Sequence, residues 1–398
     1  MPYRPNAGAS PELSLRPSMR APSELSIVVA RPNLLHGFHK PPSLRAVLLL
    51  SLLTGLLFVA TILPIQNYHA AVNTFGDNVR YVNAASAIRH WDFTGIQVKQ
   101  FWGYPYAMAL LSTLTHIPEP YSLLIVSSAS LFVSVGLAYK LWGGWVAAFF
   151  TVLNFDWMQR AFLGGAEPLS VALIFGAFLA FRRDRYVLAV FLASLSTVVR
   201  PLGIFCLIGI AATLLYRREF RKLSLTVLVG ALVGTLYILP FWIYFHDPLY
   251  QVHRYKTSDW QSGSAVGLPF AAIGHSFAHN QEPWTNVLLT LGWVILVVLG
   301  AAMMSKKEFR QYALQHQPEV LFALLYIAFL VTYNSSRWVG AEFPRFAIPV
   351  LPFVLVSLAK WRPDDRRVLW VLACVTPVLA AASALGIRNV IRVLHGAL

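Results

Sequence analysis

Asp77, in "FGDNVRYVNAASAIRHW" (75–91), is the first acid of the chain after Glu24, and it follows a long apolar run. A carboxylate there can take a proton from an attacking hydroxyl as a general base, or it can cap a helix by accepting backbone N–H bonds at the positive end. Behind it Val82, Ala85, Ile88 and Trp91 recur every third position with Asn83, Arg89 and His90 opposite. That pattern predicts an amphipathic helix of about four turns, suited to a headgroup layer. Arg200, in "VVRPLG" (198–203), is a lone arginine between two apolar segments, a costly placement unless it pairs, faces water or snorkels to the interface. Arg345, in "EFPRF", follows the same logic, with Glu342 close by as a counter-charge. Arg254 and Lys256 add cations in "HDPLYQVHRYKTSDW" (246–260), where a solvated loop face is the simpler reading. Glu167, in "GGAEPLS", precedes Pro168 at a helix start, either as a first-turn acid favoured by the helix dipole or as a partner for a substrate hydroxyl.

Membrane helices must position these residues. The chain has 398 residues, of which 57% are hydrophobic and 12% charged, and its mean hydropathy is +0.58. Those values exclude an ordinary soluble domain. Runs such as "LRAVLLLSLLTGLLFVATILP" (44–64) are apolar all round, as helices in hydrocarbon are and barrel strands are not. The expected fold is therefore all-α, a polytopic transmembrane protein of about ten to twelve helices. A formal charge of +15 could suggest nucleic acid, but 20 of the 32 Lys and Arg residues fall in the tail and in "RRDR", "RREFRK", "KKEFR" and "KWRPDDRR". Short basic flanks of apolar runs are the positive-inside pattern. They place 1–45 as a disordered cytoplasmic tail and 46–398 as the membrane domain, with outer loops 65–103, 246–283 and 334–346 and a last helix at about 367–386. The four apolar segments 104–117, 121–140, 144–160 and 167–181 must then make an odd number of crossings, so one of them lies in the interface or re-enters. Cys206 and Cys374 sit inside apolar runs and read as small hydrophobes.

"GDNVRYVNAA" followed by "FWGYPYAMALLSTL" (101–114) resembles the first outer loop of the GT-C glycosyltransferases, which begins with an acid, a small polar residue and a tyrosine and re-enters the membrane through an aromatic-proline stretch. "GGAEPLSVALIF" (164–175), "STVVRPLGIF" (196–205) and "RFAIPVLPF" (345–353) are similar to later stretches of the same superfamily, in the same order, so the resemblance spans about 46–360. It looks nearest to bacterial relatives of the lipid-linked mannosyltransferases. The resemblance implies a GT-C-like fold in a bacterial inner or cell membrane, with the site on the outer face. It implies transfer of a sugar from a polyprenyl-phosphate carrier to a lipid, glycan or protein acceptor. Asp77 is then the catalytic base, and Arg200, Arg345, Arg254 and Lys256 are the donor-phosphate cations. Arg80, Tyr81, Tyr104, Glu167 and Glu342 are the expected substrate-binding residues. Asn78 stands where the family usually has Ser or Glu, and His253, His275 and His279 lack a paired carboxylate, so no motif supports a divalent metal and no cofactor is evident. The alternative function is a flippase for a lipid-linked saccharide, which should show internal repeats with helices broken at matching positions. None is detectable.

Overall fold

The computed structural model describes residues 42–62, 77–94, 96, 100–152, 155–256, 267–271, 274, 284–332 and 343–359. The expected tail up to residue 41, the expected last helix, and Glu342, Trp260, His275 and His279 lie outside the described residues. Every regular element among the described residues is helical. In chain order these are α1 (Leu44–Ile62), α2 (Asn78–His90), α3 (Gly103–Thr115), α4 (Glu119–Trp142), α5 (Gly144–Val152), α6 (Phe155–Phe162), α7 (Glu167–Arg182) and α8 (Tyr186–Val199). They continue with α9 (Ile204–Tyr216), α10 (Phe220–Phe245), α11 (Tyr250–Lys256), α12 (Trp284–Met304), α13 (Lys307–Gln315), α14 (Gln317–Thr332), α15 (Phe343–Ala347) and α16 (Leu351–Ala359).

Two of the described helices, Glu119–Trp142 and Phe220–Phe245, are each long and apolar enough to cross a membrane. On α10 the residues Leu225, Leu228, Leu232, Leu236, Leu239 and Ile243 recur at spacings of three and four and stay exposed. A stripe of that length facing outward is what lipid requires and water penalises. The protein is an integral membrane protein. Inside, the main core joins α4 through α9 to α12, α14 and α16 through residues such as Leu131, Phe150, Phe175, Phe178, Phe322 and Phe353. Small polar residues let helices approach and bond across: Ser51 meets Thr151 at 3.3 Å, and Ser127 donates to the Ala161 carbonyl at 2.8 Å.

Contacts between its helices order the 104–181 stretch. Tyr104 at the start of α3 donates to the Leu123 carbonyl, and Ser112 near its end meets Ser122, both partners lying near the start of α4. Both ends of α3 therefore stay at one end of the bundle. At 13 residues it is about 20 Å long, short of the roughly 30 Å of hydrocarbon. The segment expected over 144–160 is helical in its described parts, α5 and α6, with 153–154 outside the described residues. α5 starts with Gly144 against Pro42 beside the foot of α1, and α6 leads to Leu163, which meets Asn78. Together they link the end of α4 to the turn before α7. α13 is an addition that the basic flank "KKEFR" did not announce. It meets α14 at 112° and lies across the end of the bundle opposite α2.

Candidate active site

The site is built where α2, α7, α8 and α15 meet. α8 stops at Val199 because Pro201 drives the residue before it out of the helical region: Arg200 is extended at φ −145° and ψ 130°. The chain then turns through Pro201–Gly203 into α9, so tightly that a side chain at position 203 would run into Ser196. The turn aims Arg200 inward, and its Nη1 donates to Glu167 Oε1 at 2.7 Å. Arg345, on α15, donates through Nε to the same Oε1. The Phe346 ring lies against both guanidiniums, with centroid distances of 5.0 Å to Arg200 and 5.4 Å to Arg345.

Glu167 opens α7 with Pro168 as its second residue, a position where a missing N–H costs nothing. Its start is sunk into the bundle, since Ser134, well inside α4, donates to the Pro168 carbonyl at 3.3 Å. Glu167 is 4% exposed, Arg345 9% and Arg200 16%, so Arg200 is a paired, inward-facing cation and not one that snorkels to the surface. Arg160 of α6 packs beside Glu167 Oε2 across Gly165, where an added Cβ would strike both side chains. A narrow cleft opens onto Glu167, Ser170, Arg200, Tyr326, Arg345 and Phe346. Its accessible volume of about 10 Å³ holds roughly one water.

Asp77 precedes α2 at the N-cap position, but its side chain makes no capping bond. Its Oδ1 instead accepts from Arg80 Nη1 at 3.1 Å and Gln100 Nε2 at 3.0 Å. Held by one oxygen, the carboxylate keeps Oδ2 for another partner. Asn78, beside it, is buried and donates to the Leu163 carbonyl at 2.5 Å, which ties the start of α2 to the Gly164–Gly165 turn that leads to Glu167. Tyr81 joins the two halves. It is buried, meets Tyr104 edge-on at 5.1 Å, and is within electrostatic reach of Asp77 on one side and of Glu167, Arg200 and Arg345 on the other. Burial, then the charges of Glu167 and Asp77, push its phenol well above the ordinary value, so it stays a proton donor.

The structure thus gathers Asp77, Arg80, Tyr81, Glu167, Arg200 and Arg345 into one region. Tyr104 is fully buried, with its hydroxyl committed to a backbone carbonyl. Arg254 is exposed on α11 against Tyr250 and lines no part of the cleft, and the Lys256 side chain is outside the described residues. Glu342 is likewise outside them, and the partner shown for Arg345 is Glu167. His253 pairs with Asp247 at 2.8 Å, and that bond holds the Asp247 carboxyl below its usual range. Among the described residues no three His, Cys, Asp or Glu side chains gather as a metal site would require. The apolar stripe expected on α2 is shifted. The helix buries Tyr81, Ala84, Ala85 and Ala87, while Trp91 terminates it in the left-handed region at φ 55° and stands exposed.

No protein-family model matches the chain, and no curated protein matches it. Two solved structures are similar to it. One is ArnT from Cupriavidus metallidurans in the apo state, 16% identical with a TM-score of 0.48, covering 80% of this chain and 62% of that one. The other is ArnT from the same organism bound to undecaprenyl phosphate, 15% identical with a TM-score of 0.48, covering 86% and 76%. The chain spans less than two thirds of the length of the apo ArnT chain.

Proposed function

We propose that this protein is a membrane glycosyltransferase of GT-C type, moving a sugar from a polyprenyl-phosphate carrier to a hydroxyl acceptor on the outer face of the membrane. The observation that carries the proposal is the sharing of one Glu167 oxygen by Arg200 and Arg345 in the wall of a narrow cleft. Two guanidiniums on one carboxylate oxygen hold positive charge together, and planar forks of that kind match phosphate oxygens. In the reaction, Asp77 Oδ2 takes the proton of the acceptor hydroxyl as its oxygen attacks the anomeric carbon. The bond from that carbon to the phosphate oxygen breaks, and the electron pair leaves with the polyprenyl phosphate beside Arg200 and Arg345. A single displacement inverts the anomeric centre. Tyr81, kept protonated between the two groups, donates to an oxygen of the donor.

The sequence motifs add the aromatic-proline entry at "FWGYPY" and the sugar-donor class. The test is binding of a short-chain polyprenyl phosphate, compared with the matching polyprenol, to the purified protein in nanodiscs. The phosphate is expected to bind at least tenfold more tightly than the alcohol, a margin of about 1.4 kcal/mol, and Arg200→Ala is expected to erase it. Equal binding of phosphate and alcohol would sink the proposal.

A further inference from the structure

A second concavity lies along α2 and includes Arg80, the residue that bonds Asp77. Positions 77, 80, 83, 87 and 90 recur at spacings of three and four, so they form one stripe along α2 with Asp77 at its head. After His90 the chain reverses at Trp91, the Asp92 N–H bonds back to the Ala87 carbonyl at 3.0 Å, and residues 92–94 and 96 lie beside the helix. The returning wall is fixed. Phe93 is buried between Trp102, stacked at 5.3 Å, and Tyr244 at 4.7 Å, and Asp92 Oδ1 accepts from the Thr94 N–H at 3.0 Å and the Thr94 hydroxyl at 2.6 Å. Between helix and wall runs a groove of about 600 Å³, lined by Arg80, Asn83, Ser86, His90, Asp92 and Thr94. Its volume falls in the range of small-molecule sites.

The chemistry of the lining selects the ligand. Asn83 and Ser86 each offer donors and acceptors, the Thr94 hydroxyl, whose proton goes to Asp92, accepts, Arg80 donates, and Asp92 accepts. His90 Nδ1 bonds the Ser86 carbonyl at 2.9 Å, which turns Nε2 away from its own helix. The single cation on the stripe, Arg80, is already opposed by Asp77 at 3.1 Å, and Asp92 supplies a further negative charge. A phosphate finds no surplus positive charge here, and a lipid chain finds only Ala87 and Ile96. An uncharged molecule dense in hydroxyls satisfies every one of these groups.

We propose that this groove is the acceptor subsite and that the acceptor presents a saccharide to it, one hydroxyl lying at the head of the stripe against Asp77. The inference rests on the glycosyl-transfer reading above and adds the chemical class of the acceptor. Full-length protein in nanodiscs is titrated by saturation-transfer NMR with methyl glycosides of glucose, mannose and arabinose, and separately with citronellyl phosphate. At least one glycoside binds saturably, and Asn83→Leu and Ser86→Phe each weaken it by about tenfold, the loss of one or two hydrogen bonds. Both variants keep their citronellyl phosphate affinity, which also reports that they are folded. Arg200→Ala does the reverse. Saturable binding that both α2 variants leave unchanged, or no saturable binding of any of the three glycosides, overturns the groove. Loss of glycoside binding in the α2 variants together with intact phosphate binding in Arg200→Ala upholds the groove and overturns the phosphate site alone.

Discussion

A carboxylate that serves as a base must be held without being used up, and Asp77 meets that condition by offering one oxygen to Arg80 and Gln100. Asn at this position keeps an oxygen acceptor for both donors, and there is no side-chain capping bond to lose. Asp77→Asn is therefore expected to leave the unfolding midpoint nearly unchanged while lowering turnover by about 10²-fold or more. Normal turnover by a well-folded Asp77→Asn protein would remove the base from the mechanism. Arg200→Lys keeps a charge but not the planar fork that reaches Glu167 and a phosphate together, so transfer should fall measurably, and further in Arg200→Ala. Both are read from sugar transferred out of a short-chain polyprenyl-phosphate donor, and EDTA in a parallel reaction should change little. Asp77, Arg200 and Arg345 were legible in the sequence because charge near or inside apolar segments is costly and so stands out. Arg160 carried the same signal at the end of an apolar segment. What the sequence could not show is pairing: Arg345 bonds Glu167, 178 positions away in the chain.

Among the elements, α2 and the turn before α7 matter most, because they set the base against the cleft. Asn78 donates to the Leu163 carbonyl, and Gly164 next to it sits at φ +102°, where an added Cβ would also run into Leu123. Asn78→Asp would turn a donor into a second acceptor facing that carbonyl, at a cost of about 1–3 kcal/mol. Gly164→Ala forces a strained backbone for a similar cost of about 1–3 kcal/mol. Each is expected to lower the unfolding midpoint relative to a Ser86→Ala control. Each should also reduce turnover more than it weakens polyprenyl phosphate binding, since Arg200 and Arg345 stand on other elements. Equal losses of turnover and binding would mean that the turn supports the whole site and not the placement of Asp77. Periodicity located α2, α4 and α7 to within a few residues, because strong apolar runs fix helices. It could not show that α3 keeps both ends beside the start of α4, since a short apolar helix at the interface and one crossing the bilayer have the same composition. Tertiary contacts decide that, and Tyr104 and Ser112, both bonded near the start of α4, are the ones that do so.

Over the whole molecule, α7 is a strut pinned at both ends by buried ion pairs. Glu167 opens it at the cleft; Arg182 closes it in a bidentate pair with Glu319 of α14, at 2.5 and 2.6 Å. Tyr312 of α13 donates to Glu319 at 2.8 Å and accepts from Trp142 at 2.9 Å, so α4, α7, α13 and α14 are joined at the end away from the cleft. Breaking such a pair strands a buried charge, and Glu319→Ala is expected to cost about 3–5 kcal/mol, read as loss of the folded protein on heating. The same two ends give the topology its test. If α4, the α5–α6 pair and α7 are the three crossings and α3 is none, residues before α4 share a side of the membrane and the turn after α7 faces the other. Single cysteines at Thr94, Thr115 and Arg183, all exposed, are placed in a chain carrying Cys206→Ser and Cys374→Ser and treated in intact cells with an impermeant thiol reagent. Thr94→Cys and Thr115→Cys should label from outside, and Arg183→Cys only after the membrane is opened, because its basic neighbours hold that turn inside. Labelling of Thr94→Cys and Thr115→Cys from opposite sides would make α3 a crossing and reverse the parity of every element on one side of it. Labelling of all three positions in the reversed sense would keep the fold and move the chemistry to the cytoplasmic face.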